Sequence, residues 1–463
     1  MAVPGGFCRS CALFIEDEET ALRSETERMT DDLEALVGDI PGPRSRELGK
    51  ALGGSESRGV TYLADDFPVF WAWGAGALVS DVDGNRYIDC TAAFGVATTG
   101  HANPAVARAI AEQATRLPHG MGDVHPSDVK VRLLRELAAL APVDDARTFL
   151  CSSGAESVEF ALKTALLATG APKVLAFEGG YHGLSYGTLE IGGIAKFREP
   201  WRAQLRDDTR FVAFPDARDG GSLARALDAI SRALRRERDV GAIVAEPIQG
   251  RAGVIVPPEG FLRGLRALCS EHGALLILDE IYTGFGRTGT MFACDRENVR
   301  PDILCVGKAL GGGFPISAAI ASRATADAWA PSAGEALHTS TYLGNPMGCA
   351  AALANLAEIR RLDIARVARE REPLVAARLR ALRQASPWIV DVRGRGMLWA
   401  IECAEPVHAN TLVLRALRRG LILVQTGTRG EAVAFAPPPV ITDDQLERAF
   451  ELLASALPEA ALA

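Results

Sequence analysis

The chain has 463 residues, 48% of them hydrophobic and 23% charged, with a formal net charge of −8. Such a composition suits a globular protein with a large buried core, and its acidic balance argues against nucleic acid as a partner. No apolar run approaches the roughly 18 residues that span a bilayer, and the stretch at 7–15 is broken by Arg9 and Ser10, so no membrane partner is expected and the location reads as cytoplasmic.

The nine cysteines are scattered, and Cys8-x-x-Cys11 has no second pair or histidine partner. That pattern reads as free thiols in a reducing compartment, with no metal site. Residues 1–45 read as an extension, with an acidic run at 16–19, a turn at Pro41-Gly42-Pro43 and Met29 as a candidate start. Residues 46–95 read as a segment that joins a smaller domain. Within it, Phe70, Trp71 and Trp73 precede a β-hairpin at 78–89, two strands joined by Asp83-Gly84-Asn85 turn chemistry. Helical period follows at 102–117 and 130–140.

Residues 96–345 read as one large domain. Short apolar runs near 148, 174, 243, 276 and 304, with helices between them, predict a parallel sheet whose carboxyl ends share one cleft. The first run enters Ser152-Ser153-Gly154-Ala155-Glu156 and then a helix, whose free N–H groups and small side chains suit a phosphate. The second ends at Tyr181-His182-Gly183, where an aromatic can stack on a flat ring. The third delivers Glu246 and Pro247-Ile248-Gln249-Gly250-Arg251. The fourth delivers Asp279, and the fifth delivers Lys308 ahead of a glycine-rich loop.

A buried lysine beside such a loop suggests a Schiff-base nucleophile, because a desolvated amine loses its proton more easily. A carboxylate in the same cleft would hold a pyridinium nitrogen protonated, as pyridoxal phosphate (PLP) chemistry requires. Spacing alone leaves a plain Asp279–Lys308 ion pair equally open. Beyond Lys308, His338-Thr339-Ser340-Thr341-Tyr342 leads to an Ala-rich helix at 347–361. Short strands at 389–392, 397–401, 421–424 and 433–435 and a helix at 443–456 read as a smaller α+β domain over 346–463.

Together these motifs resemble the class III (ω-) aminotransferases, PLP enzymes of fold type I, over about residues 60–455. The segments that carry the likeness are 279–289, 307–315, Ser153-Gly154-Ala155-Glu156, Tyr181-His182-Gly183, Glu246-Pro247-Ile248-Gln249-Gly250, and Ser340-Thr341-Tyr342 before Asn345-Pro346. The resemblance implies an α/β fold: a large domain with a mainly parallel central sheet flanked by helices, plus a smaller α+β domain built from the C-terminal and N-terminal segments. It implies Lys308 as the Schiff-base lysine and the base that moves the proton, with Asp279 on the pyridinium nitrogen. Tyr181 would stack on the ring face, and Ser153, Gly154 and Ala155 would hold the phosphate. Glu246 would shape the cleft floor, and His182 and Tyr282 would belong to the cofactor pocket. Thr341 would reach the phosphate of a neighbouring subunit, which implies a homodimer with shared sites.

Departures from the family pattern bear on substrate. Many members that take ω-amino acids have an Arg at the position of Leu184, and a Glu at that of Arg251 paired with an Arg at that of Ala434. The position three after Asp279, often Gln or Val, is Tyr282. Arg251 is therefore expected to grip the carboxylate of a 2-oxo acid acceptor with its planar fork. Leu184 and Trp73 are expected to line an apolar pocket for a primary amine donor with no carboxylate beside the amine. The plainer readings are a surface arginine or a structural ion pair for Arg251 and core packing for Trp73. Alternatives for the whole chain are an aminomutase like the glutamate-1-semialdehyde enzymes, or a biosynthetic aminotransferase acting on an amino sugar or a carrier-tethered substrate.

Overall fold

The structure, a computed structural model, describes residues 36–458. Cys8, Cys11, the acidic run at 16–19 and Met29 lie outside the described residues. A helix, Pro43–Ser55, opens on the proline of the 41–43 turn, where the missing N–H is one that no helix would use. It takes in the last residues of the segment read as an extension. The Arg44 and Ser45 amides donate to the Asp83 carboxylate at 2.8 and 2.9 Å, so the hairpin tip caps a helix distant in sequence. Three antiparallel strands follow, β1 (Trp71–Ala75), β2 (Leu78–Asp81) and β3 (Arg86–Asp89). Helices Pro104–Arg116 and Asp128–Leu140 come next, their first turns capped by the side chains of Asn103 and Ser127.

The central sheet has seven strands: β4 (Arg147–Cys151), β5 (Lys173–Phe177), β6 (Thr209–Val212), β7 (Val240–Ala245), β8 (Leu275–Asp279), β9 (Ile303–Val306) and β10 (Ser317–Ala321). Their order is β4-β10-β9-β8-β7-β5-β6, and β9, β8, β7, β5 and β6 run parallel. Leu276, Ile277, Leu278, Ile303, Leu304 and Val306 are fully buried. Each such side chain contributes about 1.5–3 kcal/mol on leaving water, which is why these runs are apolar without alternation.

The sequence pattern misses two of these strands, β6 and β10. β10 lies antiparallel between β4 and β9. Its Ser-Ala-Ala-Ile-Ala stretch has one β-branched residue and gives little strand signal, yet all five residues are buried. β6 is an edge strand whose Thr-Arg-Phe-Val stretch has no apolar run. The sheet is therefore mixed, though mainly parallel.

After helices Pro346–Arg361 and Ile364–Ala385 the chain forms β11 (Ile389–Arg395), β12 (Leu398–Cys403), β13 (Leu421–Ile422), β14 (Val424–Thr426) and β15 (Ala432–Phe435), then the helix Asp443–Ala456. Strands β11, β12, β15 and β14 make a smaller antiparallel sheet. The run at 421–424, read as one strand, is two: β13 pairs in parallel with β3, and β14 pairs with β15. The chain changes sheets at Leu423, a break that a continuous apolar run cannot announce. That change also ties the N-terminal hairpin to the C-terminal part of the molecule.

Arg287 fastens the two parts together. It is wholly buried and donates to the carbonyls of Pro437 at 2.7 Å, Met397 at 3.3 Å and Ala436 at 3.4 Å, and to Thr98 Oγ1 at 3.1 Å. Burial without a carboxylate partner pulls its pKa down to about 10.

Candidate active site

Parallel pairing of β5, β7, β8 and β9 puts their carboxyl ends, and whatever residues follow them, on one edge of the sheet. Asp279 closes β8 and is buried. Its Oδ2 lies 2.8 Å from His182 Nδ1, and its Oδ1 accepts from the Ile281 amide at 3.0 Å. Burial opposes charge on His182, but the hydrogen bond and charge of Asp279, helped by Glu246, outweigh it and raise the imidazole pKa above its ordinary value.

Lys308 follows β9 after Gly307 and is half-buried. Its φ of 42° is a left-handed conformation that costs a non-glycine residue about 1–2 kcal/mol. Strain of this kind gathers at functional positions. Its amine makes no ion pair among the described residues and instead stands 4.3 Å from the centroid of the Tyr282 ring. The plain Asp279–Lys308 ion pair is thus not what the chain forms. Burial depresses the Lys308 pKa, opposed in part by Asp279 and Glu246.

Tyr282 is held by absences on both sides. A Cβ on Gly95 or on Gly250 would come within 2.4 Å of its ring, so only glycine fits at either place. Glu246, just past β7, accepts from the amides of Tyr181 and Gly250, each at 3.0 Å. Burial raises its pKa to about 7, with His182 and the two amides pulling down and Asp279 pushing up.

The Ser153 side chain caps the helix Gly154–Thr169 by accepting from Glu156 N, and the Ser317 hydroxyl, at the start of β10, donates to the Ser153 carbonyl. The first amides of that helix have no intrahelical acceptor and face the same sheet edge.

Arg251 is half-buried. Its guanidinium lies 5.8 Å from the Phe197 ring centroid and donates to the Gly427 carbonyl at 3.4 Å. It has no carboxylate partner among the described residues, so the structural ion pair is not formed. Phe197 in turn meets the Tyr181 ring at 5.6 Å, and Lys196 Nζ lies 5.0 Å from the same Phe197 centroid.

The family description Aminotransferase class-III matches residues 62–457, most of the chain. The chain belongs to the class III aminotransferase family. An acetylornithine aminotransferase of Methanopyrus kandleri is 40% identical over 391 residues, covering 84% of this chain and 95% of that protein. Among solved structures, an (S)-enantioselective ω-transaminase from Thermomicrobium roseum superposes with a TM-score of 0.83 at 28% identity, covering 89% of this chain and 97% of that one. The ornithine aminotransferase of Toxoplasma gondii gives 0.78 at 30% identity, covering 93% and 96%.

The aminotransferase is a PLP-dependent transaminase of fold type I, and the site's chemistry fits that cofactor. A half-buried amine free of any ion pair among the described residues, a buried carboxylate on the same sheet edge and a helix N-terminus with unused amides are what an aldehyde, a pyridine nitrogen and a phosphate require. Lys308, Asp279, His182, Glu246, Tyr181 and Tyr282 come together at one edge, with Ser153, Gly154 and Ala155 beside them.

Leu184 and Thr341 are exposed on the protomer, and Trp73 packs against the core of the smaller sheet. Sequence reasoning misses Lys196, Phe197 and Gly95. The first two belong to a short helical stretch, 195–198, far from any strand end, and the only cue at Gly95 was a glycine after an aromatic.

Glu246 and His182 together set a pH dependence. Both have folded pKa values above those of the unfolded chain, so the folded state holds these protons more tightly. Their contribution is most favourable at low pH and is lost as pH rises through the folded values, for Glu246 between its ordinary 4.5 and about 7. Unfolding free energy should fall across that window by at most about 1.4 kcal/mol per pH unit per proton. Denaturant melts from pH 5 to 8 should show a shallower slope for Glu246→Gln than for the wild type; equal slopes would remove the assignment.

Proposed function

We propose that this aminotransferase moves an amino group from a primary amine donor that lacks a carboxylate beside its amine to a 2-oxo acid acceptor. The observation that carries the reading is Arg251: half-buried, unpaired by any carboxylate and linked through Phe197 to Tyr181. A guanidinium desolvated in this way offers its fork to a substrate carboxylate at a strength an exposed one lacks. Lys196, on the same aromatic ring, adds a second positive charge at that end of the site. On the donor side, Leu184 provides no cation. The relatives named for ornithine and acetylornithine support donors with a terminal primary amine.

PLP, when bound, supplies an electron sink for the carbon that loses its proton. The rest is done by the chain's own residues. Lys308, whose amine loses its proton more easily because burial depresses its pKa, would take the proton from the substrate carbon. Asp279 would hold the ring nitrogen protonated, and His182 fixes the Asp279 carboxylate in place through its 2.8 Å contact. Tyr181 would cover one ring face, and Tyr282 closes the wall beside the Lys308 amine. The amides at Ser153, Gly154 and Ala155 would seat the phosphate.

The working unit is a homodimer with shared sites. Leu117, Met121, Val124, Leu337 and Tyr342 are all exposed. They belong to two segments joined by the Thr339–Asp123 hydrogen bond of 2.7 Å and the His119–Tyr342 ring contact. Thr341, exposed and next to Tyr342 in the chain, would serve the neighbouring subunit. The described cysteines are all unpaired and buried, in keeping with a cytoplasmic location.

Arg251→Ala tests the acceptor end. The KM for the 2-oxo acid should rise by about 10–100-fold, the range of one charge-assisted fork, while the KM for an uncharged amine donor changes little. Steady-state kinetics with each substrate varied in turn provides the check. Equal effects on both substrates would remove Arg251 from the acceptor site.

A further inference from the structure

Away from the catalytic edge, an open cleft of about 480 Å³ runs between the central-sheet part of the chain and the smaller sheet. Its polar lining is Arg296, Arg369, Arg380, Arg393 and Arg395, against one carboxylate, Glu372. On a chain of net charge −8, so many arginines around one acid run against the average. Elsewhere this chain pairs its arginines locally: Arg361 meets Glu358 at 2.7 Å, and Arg366 meets Asp363 and Glu370, each at 2.8 Å.

Within the cleft the pairing is thin. Glu372 is divided between Arg395 at 3.5 Å and Arg296 at 3.9 Å, and it also accepts from the Gly396 amide at 2.8 Å. Arg369 donates to the Gly289 carbonyl at 2.8 Å and has no carboxylate partner among the described residues. Arg380 makes no hydrogen bond or ion pair among the described residues. Arg393 is neutralised by Asp391 and Glu402, but its side chain is 8% exposed and its Nε has no partner. Four guanidinium groups thus share one acid, with a buried, unsatisfied donor in the wall.

Arg369, Glu372, Ala376 and Arg380 recur every three or four residues along the helix Ile364–Ala385, so they form one stripe facing the cleft. From Arg369 to Arg380 that stripe is about 16 Å long at 1.5 Å per residue. A single small anion reaches one end of it; a molecule with two or more anionic groups reaches both. The cleft volume lies within the range of about 300–1,000 Å³ in which small molecules bind.

We propose that this cleft binds a small polyanion carrying at least two phosphate or carboxylate groups, bridging the two parts of the chain. Such an occupant bears on catalysis through a neighbouring cavity of about 300 Å³. That cavity shares Val256, Arg296 and Arg395 with the cleft and has Pro247 and Ile248 as another wall. Those two residues sit between Glu246 and Gly250, the segment that holds Tyr181 and flanks Tyr282. The cavity is also lined by Thr288, whose buried hydroxyl has no partner among the described residues.

The test is calorimetric titration of the PLP-loaded protein with tripolyphosphate and, separately, with citrate at low ionic strength. The loaded cofactor keeps its own phosphate seat filled. Arg380→Gln removes no intramolecular bond and should fold normally; it should weaken binding by about tenfold. Arg369→Gln combined with it should abolish binding, whereas Arg251→Ala should leave it unchanged. Heat from tripolyphosphate alone that the double variant loses assigns the cleft to phosphates, heat from citrate alone that the double variant loses assigns it to carboxylates, and either supports the site. Absence of heat from both probes, or equal binding by the wild type and the double variant, would overturn it.

Discussion

Replacing Lys308 with alanine should stop amino transfer, with kcat falling by on the order of 10⁴-fold or more. The amine stands half-buried on the catalytic edge, and desolvation eases loss of its proton, the form that can attack a carbonyl and later take a proton. No other lysine substitutes for it, because Lys196 lies at the Arg251 end of the site. Its removal should cost little stability: Lys308 forms no ion pair among the described residues, and its Nζ contact is with the face of Tyr282. Lys308→Arg should fail as completely, since a guanidinium is never neutral at working pH. Single-turnover kinetics paired with a thermal melt checks the claim. Substantial turnover by a well-folded alanine variant would move the chemistry to another residue.

Asp279→Asn should lower kcat by about 10³-fold. A carboxylate about 4 Å from a cationic ring nitrogen is worth on the order of 4 kcal/mol at an effective dielectric near 20, and each 1.36 kcal/mol is about a factor of ten. Asparagine keeps the size of the side chain and an oxygen for the Ile281 amide. What it loses is the charge, which serves both the ring nitrogen and His182. The His182 pKa should fall in the variant, because the hydrogen bond and charge that raise it against burial are gone. Stopped-flow kinetics with an imidazole NMR titration separates the two effects. A loss below about tenfold, with His182 unshifted, would show that Asp279 serves packing alone.

The catalytic edge was legible in the sequence because each component is the end of a buried apolar run. Asp279, Lys308 and Glu246 close or follow β8, β9 and β7, and a fully buried parallel strand announces itself by composition. The contacts made across the sheet were not legible. Nothing in the spacing says that Tyr282 slots between Gly95 and Gly250, or that Lys308 meets that ring and not Asp279, because these contacts depend on how distant segments pack. β10 escaped because its neighbours on both sides bury it, so alanine suffices where an exposed strand would need branched side chains. The split of 421–424 escaped because an apolar run reports burial and not which sheet does the burying. Lys196 and Phe197 reach the site from 195–198, a stretch that follows no strand.

The division of labour between the two ends of the site is tested most directly by separating the half-reactions. The PLP-loaded wild type and Arg251→Ala would each be mixed with putrescine, 4-aminobutyrate or glutamate in single turnover, following loss of the absorbance of the lysine-bound cofactor. Putrescine should react at the same rate in both proteins. Glutamate, the amino acid counterpart of a 2-oxo acid acceptor, should react in the wild type and slow by about 10–100-fold in the variant. A putrescine reaction that is absent, or slowed as much as that of glutamate, would contradict the account.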